Sequence, residues 1–134
     1  MSKEKIDFET AKADVDKWLD HKKVRDNKRE ANEDAIEGLV DAVVYGQLVL
    51  EKDFSWTMNL DHPIEGDVPM EKLTFKPRLR VSETHSKLKG VKSGDADGRV
   101  MALIAALTGK PFAIIGKLDT SDYAVSQNIA VFFI

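Results

Sequence analysis

The chain has 134 residues, of which 43% are hydrophobic and 32% charged, with a formal net charge of −3. This composition excludes an intrinsically disordered chain and gives no support to general nucleic-acid binding. The absence of cysteine excludes disulfides and thiolate metal sites. No apolar run reaches the roughly 18 residues of a membrane span, and residues 1–20 lack the apolar core of a signal peptide, so we expect a cytosolic protein.

Two amphipathic helices are predicted in the first third of the chain. The apolar face of the first has the 3.6-residue period of an α-helix and consists of Phe8, Ala11, Val15, Trp18 and Leu19. Asp7 is suited to cap it. The apolar face of the second consists of Ala35, Ile36, Leu39, Val40, Val43 and Val44. We expect Asn32 or Asn27 to cap this helix and Gly46 to end it. The charged segment 22–30 is expected to connect the two helices as a solvated turn or helix face.

A change to two-residue alternation after Gly46 predicts strands in the middle of the chain. The alternating apolar residues are Leu48 and Leu50, then Phe54, Trp56, Met58 and Leu60. Residues 51–53 are expected to form a turn or the bend of one longer strand. A second turn is expected at 62–67, which contains Pro63 and Gly66. Leu73 and Phe75 are expected to form a return strand that Pro77 ends.

Helices are predicted again after Pro77. The first covers 81–89 with Ser82 as its cap. The next starts at Asp95 or Asp97 and ends at Gly109, with Pro111 beyond it. A short apolar turn or helix at 111–116 and a final helix opened by Asp119 or Ser121 follow. The apolar residues of the final helix are Val125, Ile129, Phe132 and Phe133.

The charge distribution places an internal boundary at Gly46. Residues 1–46 carry nine Lys and Arg against twelve Asp and Glu, whereas 47–134 carry equal numbers of each. We therefore distinguish an N-terminal helical segment, 1–46, from a β-hairpin followed by helices, 47–134, and expect one compact domain overall. The predicted fold class is α+β, mostly α-helical, with a small antiparallel β-sheet or hairpin in the middle of the chain.

No catalytic, metal-binding or cofactor-binding site is predicted, and we expect no enzyme. The three histidines, His21, His62 and His85, are far apart in the sequence. Asp95 and Asp97 resemble the start of a calcium loop, but the sixth and twelfth positions hold Val100 and Ala106, so helix capping explains them better.

Two features suggest contact with another chain. One is a basic cluster in which Glu83 is the only acid; its members are Lys76, Arg78, Arg80, Lys87, Lys89 and Lys92. It is either a solvated surface or a contact for an acidic protein, and nucleic-acid binding is less favoured because no aromatic residues are interleaved. The other is the terminal run 129–134, which is apolar in every helical phase and is expected to form an interface, pair as a strand or enter the core. Trp18 and Trp56 are expected in the core.

The segment from Leu60 onward resembles the tail assembly chaperones of long-tailed bacteriophages. The matching pieces, in order, are Leu60-x-x-Pro63-Ile64-x-Gly66, Leu73-Thr74-Phe75 with Pro77 and Arg78, Asp97 ahead of Leu103-Ile104, Leu107-Thr108-Gly109 before a proline, and Leu118-Asp119-x-x-Asp122-Tyr123. They cover about half of the chain. The 59 residues before them are longer than the few that usually precede this motif.

The resemblance implies a non-enzymatic protein of the host cytoplasm that keeps the long helical tape measure protein soluble and helps recruit tail tube subunits around it. Small residues such as Ala102, Ala105 and Ala106 are expected to allow close helix approach, and a homo-oligomer is possible. The expected partner-binding residues are Leu103, Leu107, Ile129, Phe132, Phe133, Arg78 and Arg80. The alternatives are a structural virion protein of the tail or head–tail connector, and a small nucleic-acid-binding regulator.

Overall fold

The computed structural model describes residues 4–67 and 69–134. The N-terminal elements are α1 (Phe8–His21), α2 (Asp26–Ala31) and α3 (Glu33–Val44). The strands are β1 (Leu48–Leu50), β2 (Trp56–Ile64) and β3 (Met70–Phe75). The C-terminal helices are α4 (Val81–Lys87), α5 (Ala96–Thr108), α6 (Phe112–Ile115) and α7 (Thr120–Ala130), followed by a 3₁₀ turn (Val131–Phe133). The predicted α+β class, mostly helical with a small antiparallel sheet in the middle, is confirmed. Residues 1–3, which begin the charged N-terminal stretch, lie outside the described residues.

The helix α1 forms as its apolar spacing predicts, with one exception. The Thr10 backbone N–H donates to Asp7 Oδ1 at 2.7 Å, so Asp7 is the cap. The other four members of the predicted face are buried, whereas 57% of Phe8 is exposed. Phe8 is the first residue of the helix, and its ring lies at the margin of a surface groove between α1 and α3.

The connection between α1 and α3 is more ordered than predicted. Part of the charged segment 22–30 lies in α2, a short helix without buried residues. Asn32 occupies the N-cap position of α3, as one of the two predicted candidates, but its side chain makes no capping hydrogen bond. Its side-chain amide donates instead to the Lys28 carbonyl at 2.9 Å. Gly46 takes a positive φ of 78° just after α3, as expected of the residue that ends a helix.

The three strands form an antiparallel sheet in the order β1-β2-β3, with Leu48 opposite Met58 and Trp56 opposite Phe75. Phe54 is not in a strand, contrary to its predicted phase. It ends the turn before β2 with a φ of 67° and stacks on the His21 ring at 3.9 Å between ring centres.

The predicted turn starting at His62 is wrong, because β2 continues through Pro63 to Ile64. β1 pairs with β2 only as far as Met58, and the pairing with β3 is irregular between Asn59 and Ile64. The missing N–H of Pro63 therefore removes no regular ladder hydrogen bond.

The irregular part of β2 is held by a buried carboxylate in the first turn of α7. Asp122 is fully buried and accepts hydrogen bonds from the backbone N–H groups of Asp61 and His62, at 2.9 and 3.0 Å. It also accepts one from Gln47 Nε2 at 2.9 Å. Three donors compensate the removal of this carboxylate from water, and they join α7 to the sheet.

The C-terminal helices begin and end largely where the capping residues indicate. Asp95 accepts from the Gly98 N–H at 2.9 Å and Asp119 from the Ser121 N–H at 3.0 Å, and Gly109 ends α5 with a φ of 68°. Ser82 is not a cap. The N-cap of α4 is Arg80, whose own N–H donates to the Glu83 carboxylate at 3.2 Å.

The core contains residues from both sides of Gly46 in one hydrophobic cluster. Trp18 of α1 contacts Trp56 of β2 and Phe132 of the 3₁₀ turn edge to face, with ring centres 5.6 and 5.8 Å apart. Both tryptophans are 1% exposed, which confirms their predicted place in the core. The aromatic contacts thus join the first helix to the sheet and to the end of the described chain.

Candidate functional site

An apolar groove of about 430 Å³ lies where α4 and α5 meet the end of the chain. We call it the C-terminal groove. Its lining residues are Val81, Thr84, Leu88, Ala96, Arg99, Val100, Leu103, Phe133 and Ile134. Arg99 is the only charged residue among them, so most of the lining offers aliphatic or aromatic surface.

The groove is built from residues far apart in the sequence. Val81 and Leu88, seven positions apart, lie at the start and end of α4, whereas Val100 and Leu103 belong to α5. The Lys28 ammonium donates to the Ile134 carbonyl oxygen at 2.6 Å and holds the last described residue near α2. Val81 is 88% exposed and Ile134 is 77% exposed, so the groove presents apolar surface to solvent.

A smaller, more polar pocket of about 280 Å³ adjoins this groove and shares Phe133 and Ile134 with it. Its other lining residues are His21, Lys22, Pro77, Arg78, Leu79 and Phe132. We call it the basic pocket, because Lys22 and Arg78 lie in it. The two cavities together place an apolar groove beside a polar pocket that carries positive charge.

The Lys22 ammonium is in an unusual environment. It lies 3.4 Å from the centre of the Phe133 ring and 5.7 Å from that of Trp18, within cation–π range. Partial burial lowers the pKa of Lys22 to about 8, with smaller contributions from the charges of Arg78 and Lys28. An acidic group of a partner would relieve this concentration of positive charge.

The structure brings together several of the predicted partner-binding residues. Leu103 and Phe133 line the C-terminal groove, and Arg78, Phe132 and Phe133 line the basic pocket. Arg80 is exposed directly before Val81. Phe132 is only 4% exposed, and its ring packs edge to face against Trp18 in the core.

The predictions for Leu107 and Ile129 are corrected. Both side chains are fully buried, so neither offers surface to a partner in this fold. The same holds for Ala102, Ala105 and Ala106, which are at most 2% exposed. Their small side chains permit close packing inside the molecule, where α5 contacts α6, α7 and β3.

The basic cluster predicted from the sequence is partly neutralised. The Lys76 ammonium lies 2.9 Å from the Glu83 carboxylate. This contact, followed by the Arg80 N–H, holds the pKa of Glu83 below its usual value. Arg78 lines the basic pocket, which makes it the member of the cluster best placed to act together with the groove.

The sequence analysis missed Val81 and Leu88 as site residues. Their spacing of seven, with Thr84 between them at the third position, places all three on one side of a helix. That pattern was the available signal, but it is hard to recognise in a helix of seven residues.

Residues 4–67 and 69–134 contain no group of three or more His, Cys, Asp or Glu side chains arranged to hold a metal ion. Within the same ranges, no helix is long and apolar enough to cross a membrane. His62 and Asp119 approach to 3.9 Å, but both side chains are largely exposed on the surface.

Comparison with known proteins identifies no family model, no curated protein and no solved structure that matches this chain.

Proposed function

We propose that this protein is a non-enzymatic assembly chaperone that binds an amphipathic helix of a partner chain in the C-terminal groove. Following the resemblance, the partner is a phage tape measure protein, and the complex helps to recruit tail tube subunits. The site of action is the host cytoplasm.

The observation that carries this proposal is the predominantly apolar lining of the C-terminal groove. Val81, Phe133 and Ile134 leave apolar surface in water at one place, although the chain has a core large enough to bury two tryptophans. Exposed apolar surface that is concentrated in a concave site is typical of protein–protein contact. An amphipathic helix fits such a groove by inserting side chains spaced three and four residues apart.

The charges beside the groove indicate which helices it prefers. Arg99 lies in the groove, and Lys22 and Arg78 lie in the adjoining basic pocket. We therefore expect the bound helix to carry Asp or Glu next to its apolar anchors. Charge of this kind contributes mainly to specificity and to the rate of association.

The expected affinity of one copy is modest, because the groove is small compared with a stable protein interface. Many copies bound along one long client would make the complex dissociate slowly, because avidity adds to the affinity of each copy. Release during assembly then requires no covalent step.

Co-expression with the client tests the proposal. The client implied by the resemblance is a phage tape measure protein, and the measurement is its soluble fraction and its co-elution with this protein in gel filtration. Val81→Glu places a carboxylate in the groove, at a helix start where negative charge does not oppose folding, and should abolish co-elution. Val49→Glu is the matched control, since Val49 is 44% exposed on β1 and lines neither cavity.

Unchanged client solubility with the wild-type protein would contradict the proposal, as would equal losses in both variants. Mass spectrometry of purified particles separates the chaperone from the structural virion protein. A chaperone should be absent from finished particles, whereas a stoichiometric amount there would favour the alternative.

A further inference from the structure

A second apolar groove, of about 510 Å³, lies between α1 and α3 and shares no lining residue with the C-terminal groove. We call it the N-terminal groove. Its apolar lining residues are Phe8, Ile36, Val40, Val44 and Tyr45. Val40 and Val44 are nearly buried, whereas Phe8 is 57% and Tyr45 39% exposed. The aliphatic residues are therefore deep in the groove, and two aromatic rings remain accessible beside them.

The exposure of Phe8 departs from the pattern of its own helix. Its spacing places it on the apolar face of α1, yet it is the one member of that face that is not buried. An aromatic ring left in water beside a groove is typical of a binding surface, because aromatic side chains contribute strongly to protein interfaces.

Acidic residues follow one edge of the groove at regular helical spacing. Glu33, Glu37 and Asp41 lie four residues apart on α3, next to the apolar series Ile36, Val40 and Val44 with the same spacing. Glu4 is a fourth carboxylate in the lining. Like charges four residues apart on a helix repel one another weakly, and cations lying against this row would relieve the repulsion.

These carboxylates lack cationic partners in the described part of the chain. No Lys, Arg or His within residues 4–67 and 69–134 forms a salt bridge with any of the four. Among the described residues, Lys12 is the one cation that lines the groove, and its ammonium lies 3.5 Å from Asp16, one helical turn further along α1.

We propose that the N-terminal groove binds a basic amphipathic helix of a partner protein. Apolar side chains of that helix would enter between Phe8 and Tyr45, and its Lys and Arg side chains would lie against Glu33, Glu37 and Asp41. The first and last residues of each row on α3 are eight positions apart, about 12 Å, which matches two to three turns of a helix lying alongside. This inference does not depend on the proposed function, since the two grooves share no residue and favour partners of opposite charge.

A designed peptide is a direct probe. The peptide is a fluorescein-labelled helix of about 15 residues, with leucines at i, i+3, i+4 and i+7 and lysines elsewhere. Its match is a control peptide that has glutamate in place of every lysine. Fluorescence anisotropy against the full-length protein should show the lysine peptide binding at least about tenfold more tightly than its match at low salt. Binding of the lysine peptide should weaken as salt is raised.

Charge reversal locates the binding site. Glu37→Lys with Asp41→Lys should weaken binding of the lysine peptide by about tenfold or more. The control is Glu65→Lys with Glu71→Lys, which changes the net charge equally at exposed positions outside the groove. It should change the affinity by less than about twofold.

Phe8→Ala tests the apolar contact separately. Because Phe8 is mostly exposed, the variant should keep the wild-type melting temperature while binding the lysine peptide several-fold more weakly at both low and high salt. Val49→Glu, at an exposed position that lines neither groove, should leave this binding unchanged.

Three results would overturn the inference. One is equal loss of affinity in both double variants, which would indicate general attraction between opposite charges. Another is no preference for the lysine peptide. The third is concentration-dependent self-association that the Glu37→Lys and Asp41→Lys pair abolishes, without peptide binding, which would make a second copy the occupant.

Discussion

The C-terminal and N-terminal grooves have similar volumes, about 430 and 510 Å³, and both are lined by aliphatic and aromatic side chains. Their charges differ. Arg99 is the charged residue of the first, and four carboxylates with one lysine accompany the second. Apolar surface of this kind provides attraction with little selectivity, so the charges beside each groove decide which partner it accepts.

The two grooves also differ in how they are built. One wall of the N-terminal groove is a single helix, α3, whose residues recur every four positions. The C-terminal groove joins α4 and α5 to the 3₁₀ turn and Ile134. Its shape therefore depends on the contacts that hold the end of the chain against the core.

The strongest destabilisation is expected from Phe132 in the core, and much less from its neighbour Phe133, which lines the groove. Phe132→Ala removes a buried ring that contacts Trp18 and should lower the free energy of unfolding by about 3–5 kcal/mol. Phe133→Ala, at a half-buried ring that lines both cavities, should lower it clearly less while weakening client binding. Urea denaturation and co-elution measure the two effects. Equal destabilisation by the two variants would contradict the assignment of Phe133 to the groove.

The next effect tests how the start of α7 is held. Asp122→Ala leaves the Asp61 and His62 N–H groups without their acceptor and should lower the free energy of unfolding by about 2–3 kcal/mol. Asp61→Ala is the control, because Asp61 takes part through its backbone while its side chain is exposed. Chemical denaturation compares the two, and a cost for Asp61→Ala as large as that for Asp122→Ala would show that the buried carboxylate has no special role.

A smaller effect concerns the basic pocket at alkaline pH. The folded-state pKa of Lys22, about 8, is below its ordinary 10.5, so the unfolded state binds more protons between these values. Stability should therefore rise as pH increases from about 8 to 10, by less than about 1 kcal/mol after screening by solvent. Above pH 10 the raised pKa of Tyr123, caused by burial and then by Asp97, acts in the opposite direction.

Lys22→Met should remove this rise while keeping apolar contact with the rings. Thermal denaturation of both proteins from pH 7 to 10 checks it, with Lys52→Met as an exposed control. The same slope in Lys22→Met and wild type would assign the rise to another group.

The smallest effect concerns the start of α1, beside the N-terminal groove. Hydrogen bonds from Thr10 hold the pKa of Asp7 below its ordinary 3.8. The ionised Asp7 carboxylate therefore contributes stability above pH 3.8, and this contribution is lost as the pH falls through the lowered pKa of the folded state. Asp7→Asn should keep a side-chain acceptor for the Thr10 N–H and lose this acid dependence, as measured by circular dichroism between pH 2 and 5. An unchanged acid profile would indicate that the Asp7 carboxylate does not stabilise the start of α1.

Local patterns predicted most of the helices and strands. The spacing of buried residues in α1 and α3, the caps Asp95 and Asp119, and the stop at Gly109 all depend on interactions within a few residues. Pro63 shows the limit of such reasoning. It is tolerated in β2 because the neighbouring strand ends early and Asp122 satisfies nearby N–H groups, and both conditions are tertiary.

The candidate site was less predictable for the same reason. Leu107 and Ile129 have the apolar character of interface residues, but whether such residues face a partner or the core depends on how α5 and α7 pack. Val81 was missed because seven residues are too few to establish a helical period. Phe8 was assigned to the core by its spacing, and its exposure depends on where α1 begins relative to α3.

Hydrogen exchange on the complex with the co-expressed client shows whether the client binds in the C-terminal groove. When the client is bound, we expect slower amide hydrogen exchange in α4, at the start of α5 and in residues 131–134. The Val81→Glu variant should show no such protection. Protection confined to other elements, or an exchange pattern that the client leaves unchanged, would contradict a helix-binding role for the C-terminal groove.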